Sequence, residues 1–532
     1  MAGTFGAHEN APMSPASPTS ATDAAARRWT LVSAVLGSGM AFMDGTVVNV
    51  ALPAIQRSLD ASGADAQWVI EAYALFLAAL LLVGGALGDR FGRKRVFLVG
   101  AAVFTLASAA CAAAHGINQL IAARAVQGIG AALLVPGSLA LLGANFPQET
   151  RGRAIGTWSA FSGITAAVGP VVGGFLVDHF SWHWAFLLNL PFGVLLLAAC
   201  AAKVPESRGD AAQAPVDIVG ACTATIGLAA IVFALIEAPA HRIGMATATG
   251  VALAGLMALV VFFAWEARAA RPMMPLRMFR NRDFAGANLL TLLLYAALGG
   301  ALYFIPLDLI QVRGWSATGA GAALLPFVAI MFALSRFAGA LVDRVGARLP
   351  LVVGPSVASA GFALFALTAA DDNYWTSFLP AIVVLGLGMT LTISPLTTTV
   401  MNALGDAFAG TASGVNNAVS RAAGLLAIAA FGAVLAHVFE ARLHDALNLS
   451  TLPRDAAEHV MAQQRNLGAI TAPPGASPAV VAEVHRVVGA VFVAGFRAVM
   501  WIAAALALAS AGCAAWLISG ARPTTHAKAT PP

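Results

Sequence analysis

The sequence predicts an all-α integral membrane protein, and three observations carry that prediction. Hydrophobic residues make up 59% of the 532 positions and charged residues only 10%, where a soluble domain carries roughly a quarter charged. The mean hydropathy is +0.80. Apolar stretches of about 20 residues, the length that crosses a bilayer as helix, can be placed at 31–54, 68–88, 95–113, 119–143, 153–177, 184–202, 216–237, 246–266, 284–310, 318–341, 349–369, 376–400, 408–436 and 496–519. The third observation is charge placement. Arg90, Arg93, Lys94 and Arg95 crowd one connector and Arg268, Arg271, Arg277, Arg280 and Arg282 another, on the same side of this map. Basic loops stay in the cytoplasm, so both termini are expected there. The net charge of +5 is therefore a topology signal, and no nucleic-acid partner is called for. Cys111, Cys200, Cys222 and Cys513 lie scattered in spans with no disulfide or metal spacing.

Taken in order, residues 1–28 form a tail rich in Ala, Ser, Thr and Pro, expected to be disordered. The first span carries FMDGTVVNVALP, which places Asp44 at membrane depth and Asn49 beyond it. A carboxylate there must face the bundle interior or water, as a structural acid or as a working one. The second span opens WVIEAYALF; Glu71 stands near its outer end, either solvated or functional, with Tyr73 beside it. GGALGDRFGRKR follows, where Gly85 and Gly92 allow a tight turn and Asp89 can pair with Arg90 or Arg93. The fourth span carries RAVQGIGAALLVPG. Its Arg124 cannot itself carry a proton, but it can bias a nearby carboxylate toward release. Gln127 lies on the next turn.

The fifth span contains GITAAVGPVVGG. In a helix, Gly163, Pro170, Gly173 and Gly174 fall near one face, and Gly169 with Gly173 makes a small-xxx-small pair that admits another helix to backbone contact. Pro170 removes one helical hydrogen bond and builds in a bend. The chain passes into the sixth span through DHFSWHWAFLLNLPFG, Asp178 to Gly193, whose tryptophans suit an interface. Two more spans follow, then the basic connector. The ninth span holds Tyr295 and Asp308; Asp308 sits either at the outer mouth, the favoured reading, or as an added charge for a cationic substrate. GALVDRVGAR, with Asp343 and Arg344, echoes the Asp89 loop and implies repeated halves. The thirteenth span carries GTASGVNNAVSRAAG with Asn416, Asn417 and Arg421. Residues 437–490 read as a long outer loop that could form a cap or dock a periplasmic adaptor.

Four of these segments resemble a known family. The Asp89 loop is similar to the loop signature of the major facilitator superfamily, which latches its cytoplasmic gate, and Arg124 matches the arginine of its fourth-span coupling motif. The Gly163–Gly174 segment resembles the antiporter signature of its exporters. Asp178–Gly193 and the two extra spans resemble the fourteen-span drug/proton antiporter branch, although His183 stands where Arg is more usual. The resemblance implies a major facilitator fold of two six-helix bundles plus two inserted spans, divided as tail 1–28, bundle 29–202, inserted pair and connector 203–283, bundle 284–520 and tail 521–532.

It also implies a secondary active transporter in the cytoplasmic membrane, not an enzyme, that exports drugs or other hydrophobic or cationic molecules against protons. Asp44, Arg124, Glu71 and Asp308 would couple protons, and Asn49, Tyr73, Gln127, Tyr295, Asn416 and Asn417 would line the cavity. No cofactor is called for, and the absence of a GxxxxGK[ST] segment argues against ATP-driven pumping. Rival readings are export of one metabolite or natural product in self-resistance, nutrient symport, and a membrane scaffold or sensor using 437–490. Buried charge argues against the scaffold, and the fifth-span signature argues against uptake.

Overall fold

A computed structural model describes residues 21–208, 216–369, 373–405 and 408–519. Most of the N-terminal tail, all of tail 521–532 and part of the 203–215 linker lie outside the described residues, as does the side chain of Asp343. Among the described residues fourteen helical segments are long and apolar enough to cross a membrane, matching the hydropathy map. The first six spans are α1 (Ala21–Leu59), α2 (Gly63–Phe91), α3 (Arg93–Ala112), α4 (Ile117–Asn145), α5 (Gln148–His179), and α6 (His183–Leu187) running into α7 (Asn189–Lys203). The inserted pair is α8 (Ile218–Glu237) and α9 (Met245–Glu266). The last six are α10 (Arg282–Leu307), α11 (Ala317–Ala323) with α12 (Leu325–Val345), α13 (Arg348–Ala366), α14 (Leu379–Asn402), α15 (Ala409–Asn448) and α17 (Pro478–Leu517), with the short α16 (Arg454–Ala462) before the last. Helix α1 starts inside the stretch expected to be a disordered tail.

Each bundle closes on itself. In the first, α4 packs on α2 and α3 while α1 packs on α5 and α7; in the second, α13 packs on α14 and α17 while α15 and α17 pack on α10. The inserted α8 pairs with α9 and also touches α2 and α15, so it lies along the seam between the bundles. Leu75 and Ala79 of α2, Leu228 and Val232 of α8, and Leu425 and Ala429 of α15 form one apolar cluster there.

The internal repeat is visible in the backbone. Gly92, at φ 112°, turns α2 into α3, and Gly346, at φ 79°, turns α12 into α13. Both follow an Asp-Arg pair by two residues, and both hold a conformation that side chains with a Cβ rarely adopt.

The reading of 437–490 as a loop is corrected. Helix α15 continues to Asn448 and α17 begins at Pro478, with the Ser477 hydroxyl accepting from the Val480 amide. Hydropathy marks where the bilayer ends, whereas Ala, Glu, Arg and Leu keep a helix going in water. Between them, 464–469 folds back over the end away from the basic loops. Leu467, at φ 53°, packs on Gly63, and Gly468 faces Gln311 and Phe492. This segment therefore covers the seam between the bundles.

The basic connectors give a direct check on orientation. Single cysteines at the exposed Arg208 and Ala270 should resist an impermeant thiol reagent added outside intact cells, while one at Pro474 should react. Labelling at Arg208 or Ala270 would invert the map.

Candidate functional site

The first bundle places two charges in a dry core. Asp44 of α1 is 1% exposed and Arg124 of α4 is 0% exposed, and they form an ion pair. The sequence predicts their depth; the fold supplies everything around them. Gln127 donates to Asp44 Oδ1 at 2.8 Å and to the Ser108 hydroxyl at 2.7 Å. Asn189, from the start of α7, donates to the same Oδ1 at 2.9 Å. Arg124 Nε donates to the Val69 carbonyl at 3.0 Å, and its guanidinium lies 4.3 Å from the Tyr73 ring centroid. Asp44 therefore takes charge or hydrogen bonds from α4 and α7, and Ser108 ties α3 into the same network. A buried pair of this kind offsets its desolvation only through such added bonds.

Two residues in this network escaped the sequence reading. Ser108 carries no motif, and Asn189 lay in plain view inside LLNLPFG but far from Asp44 in the chain. Two expected cavity residues are spent here instead. Gln127 is fully buried in the network, and Tyr73 is 5% exposed, stacked on Arg124 with its hydroxyl donating to the Ala41 carbonyl at 3.0 Å.

The other acids separate clearly. Glu71 is 0% exposed, and neither carboxyl oxygen has a hydrogen-bond partner, so the solvated reading fails. Asp308 is not at a wet mouth. It is buried at the π-helical turn 308–312 that ends α10 and accepts from Arg313 at 2.7 Å, while Arg313 lies 4.3 Å from the Phe378 ring centroid. Of the remaining cavity candidates, Asn416 bridges α15 to α10 by donating to Thr291 at 2.7 Å and Asn288 at 3.2 Å. Asn417 is exposed and Tyr295 is half-buried. Asn49 keeps a buried side-chain oxygen without a partner.

At the basic end Asp89 pairs with Arg93 at 2.8 Å, one turn away, and Arg90 lies over Phe91. Gly85 has only ordinary contact with Pro136. Glu206, absent from the sequence reading, accepts from the Lys94 and Arg95 amides and so caps α3. Arg344 is exposed.

The fifth-span motif splits its work. Gly169 and Gly173 fit against Thr46 and Val47 of α1, inside the first bundle; a Cβ on Gly173 would lie 2.8 Å from Val47. Gly174 instead meets the Ala317 backbone, and the Pro170 carbonyl faces Gly321, both on α11 of the second bundle. Asp178 completes this contact by accepting from the Ala317 and Thr318 amides at 3.0 and 2.8 Å, at the start of α11. A carboxylate suits a helix N-terminus. Gly163, two turns before Pro170, makes no such contact: outside its own helix backbone no atom lies within 4 Å of where its Cβ would stand, as at Gly152 and Gly156. The bundles thus meet tightly at the end away from the basic loops, while the other end of α5 stands clear.

Residues 34–428 match a family model described as Major Facilitator Superfamily. The chain is 33% identical to the tetracenomycin C resistance and export protein of Streptomyces glaucescens over 93% of each chain. It is 35% identical to the multidrug resistance protein Stp of Mycobacterium tuberculosis over 82% of this chain and 80% of that one. Among solved structures, a bacterial homologue of the human lysosomal transporter Spinster, in an inward-facing unoccupied conformation, matches with a TM-score of 0.60 at 16% identity. It covers 93% of this chain and 98% of its own, a likeness of fold.

Two stability and closure outcomes follow from this geometry. Arg124→Ala strands a buried carboxylate and should cost about 3–5 kcal/mol, whereas Arg124→Ala with Asp44→Asn should recover most of it; thermal melts of purified protein decide. Gly174→Leu overpacks the α5–α11 contact by about 1–3 kcal/mol and should make a cysteine at Val177 react faster with a thiol reagent. An unchanged rate would show that α5 and α11 do not hold this end closed.

Proposed function

Because the chain belongs to the Major Facilitator Superfamily, in its fourteen-span drug/proton antiporter branch, we propose that it exports hydrophobic small molecules across the cytoplasmic membrane in exchange for protons. It is a transporter and not an enzyme. The observation that carries the proton part of this reading is Glu71, a fully buried carboxyl with neither oxygen partnered. A bare anion in a dry interior is too costly to persist, so Glu71 needs a proton whenever the bundles are closed over it. Opening of that end lets it give the proton up or take one from outside. Asp44 is already held by Arg124, Gln127 and Asn189; in this reading it orients the helices around Glu71, and the burden expected of Asp44 moves one helix over.

Alternating access follows from where the small residues are. The contact of Gly174 and Gly321 with the opposite backbone closes the outer end; parting there and closing at the Asp89 loop would present the cavity to the other side. The cytoplasmic placement of both termini belongs to the same proposal, on the positive-inside bias. A narrower reading, export of a single natural product, is favoured by a relative named for tetracenomycin C, against the multidrug name of Stp.

Everted vesicles holding the protein, free of ATP and energised by a pH gradient, should accumulate substrate and collapse the gradient on its addition. Glu71→Gln should abolish gradient-driven uptake by these vesicles while substrate–substrate exchange continues, and Asp44→Asn should lower the amount of folded protein as well. Full gradient-driven transport with Gln at 71 would remove Glu71 from the mechanism. A panel of unrelated compounds separates the multidrug reading from the narrow one.

A further inference from the structure

Arg421 is a cation that the export reading has not used. It stands twelve residues into α15, about 18 Å from its start at 1.5 Å per residue, near the middle of a bilayer core about 30 Å thick. Its side chain reaches from the second bundle to the first, where the guanidinium carbon lies 5.5 Å from the ring centroid of Phe42 on α1. It is partly exposed, and the exposed Asn417 lies one turn before it on the same face.

The other described arginines buried in the spans or at their ends are compensated. Arg124 has Asp44, Arg313 has Asp308, and Arg497 donates to the Ala366 carbonyl at 2.8 Å. Among the described residues Arg421 has no carboxylate within salt-bridge distance and donates no hydrogen bond to the protein. An uncompensated charge at this depth is costly and marks a pathway or a ligand.

We propose that Arg421 is the anion-binding point of the transport cavity and that the substrate is a hydrophobic aromatic acid, ionised as a carboxylate or phenolate. The guanidinium fork pairs two oxygens of a carboxylate at once, and the Phe42 ring beside it offers a flat apolar wall to an aromatic body. Asn417 adds an amide one turn away. This assignment runs opposite to the expectation of cationic substrates: with Asp44 and Asp308 each paired with an arginine and Glu71 holding a proton in the closed state, the charge left over at this depth among the described residues is positive. It rests on the export reading for its meaning as a substrate site, but the binding it claims can be measured without transport.

The test uses three probes with one ring and three charges: pyrenebutyrate, its methyl ester and pyrenebutyl-trimethylammonium, titrated by fluorescence anisotropy into the full chain in nanodiscs. The wild type should bind the acid tightest and the ammonium weakest. Arg421→Gln should lower the acid-to-ester affinity ratio about tenfold or more, the scale of a charged hydrogen bond. Arg421→Lys should restore part of the ratio, as a point charge without the fork. Asn417→Asp, which sets a counter-ion beside an intact Arg421, should lower the ratio as Gln does, so the claim stays testable if Arg421→Gln fails to fold. An unchanged ratio in Arg421→Gln or in Asn417→Asp, or tightest wild-type binding by the ammonium, overturns the assignment. Failure of all three probes to move in energised vesicles, with acid binding intact, would count against the export reading instead.

Discussion

The buried pair of Asp44 and Arg124 is the constraint on which the first bundle depends. Neither side chain is exposed, so the partners they find come from the protein, and only Arg124 Nη2 of the pair is left without a hydrogen bond. The partners come from α2 through the Val69 carbonyl, from α3 through Ser108, and from α7 through Asn189. Five helices are thereby fixed in rotation about their own axes, which lipid-facing apolar packing alone does not do. Tyr73, clamped against Arg124, fixes the face of α2 and with it the direction in which Glu71 points.

A rigid bundle of this sort is what a rocking transporter needs, because motion then concentrates at the seam. Where α5 meets α11, the seam is made of small residues and backbone. Gly174 and Gly321 bring α5 and α11 to main-chain contact, and Asp178 ends that contact with two backbone hydrogen bonds. Such contacts involve few side-chain rotamers, so they can break and re-form with little repacking. Around them sit side-chain ties across the seam: Gln311 donates to Gln56 at 2.8 Å, and Gln67 to the Ile428 carbonyl at 2.7 Å.

The inserted pair adds a second set of ties at that end. The turn after α8 sends Arg242 to Asp65 of the first bundle at 2.6 Å and His241 to Glu440 of the second at 3.0 Å. Helix α8 thus spans the seam, while α9 rests on α8 and turns exposed Leu253, Met257 and Val260 outward. The two extra spans act in this arrangement as a strap along one side of the two bundles, joined to them mainly through α8.

The sequence by itself determined the number and placement of the spans, the repeated Asp-Arg turns ending in Gly92 and Gly346, and the glycines that admit a neighbouring backbone. These are local properties. Hydropathy over about 20 residues reports passage through a bilayer, and a positive φ selects glycine without reference to the rest of the chain. Tertiary structure alone decided which acids are paired. Asp44 finds Arg124 80 positions away and Asn189 145 positions away, Asp308 is taken by Arg313, and Glu71 is left with no partner. It also decided that Gly163 faces open space and that 437–490 is largely helix. A buried polar group is satisfied by whatever the fold brings within about 3 Å, and hydropathy, which averages over neighbours in sequence, has no access to that distance.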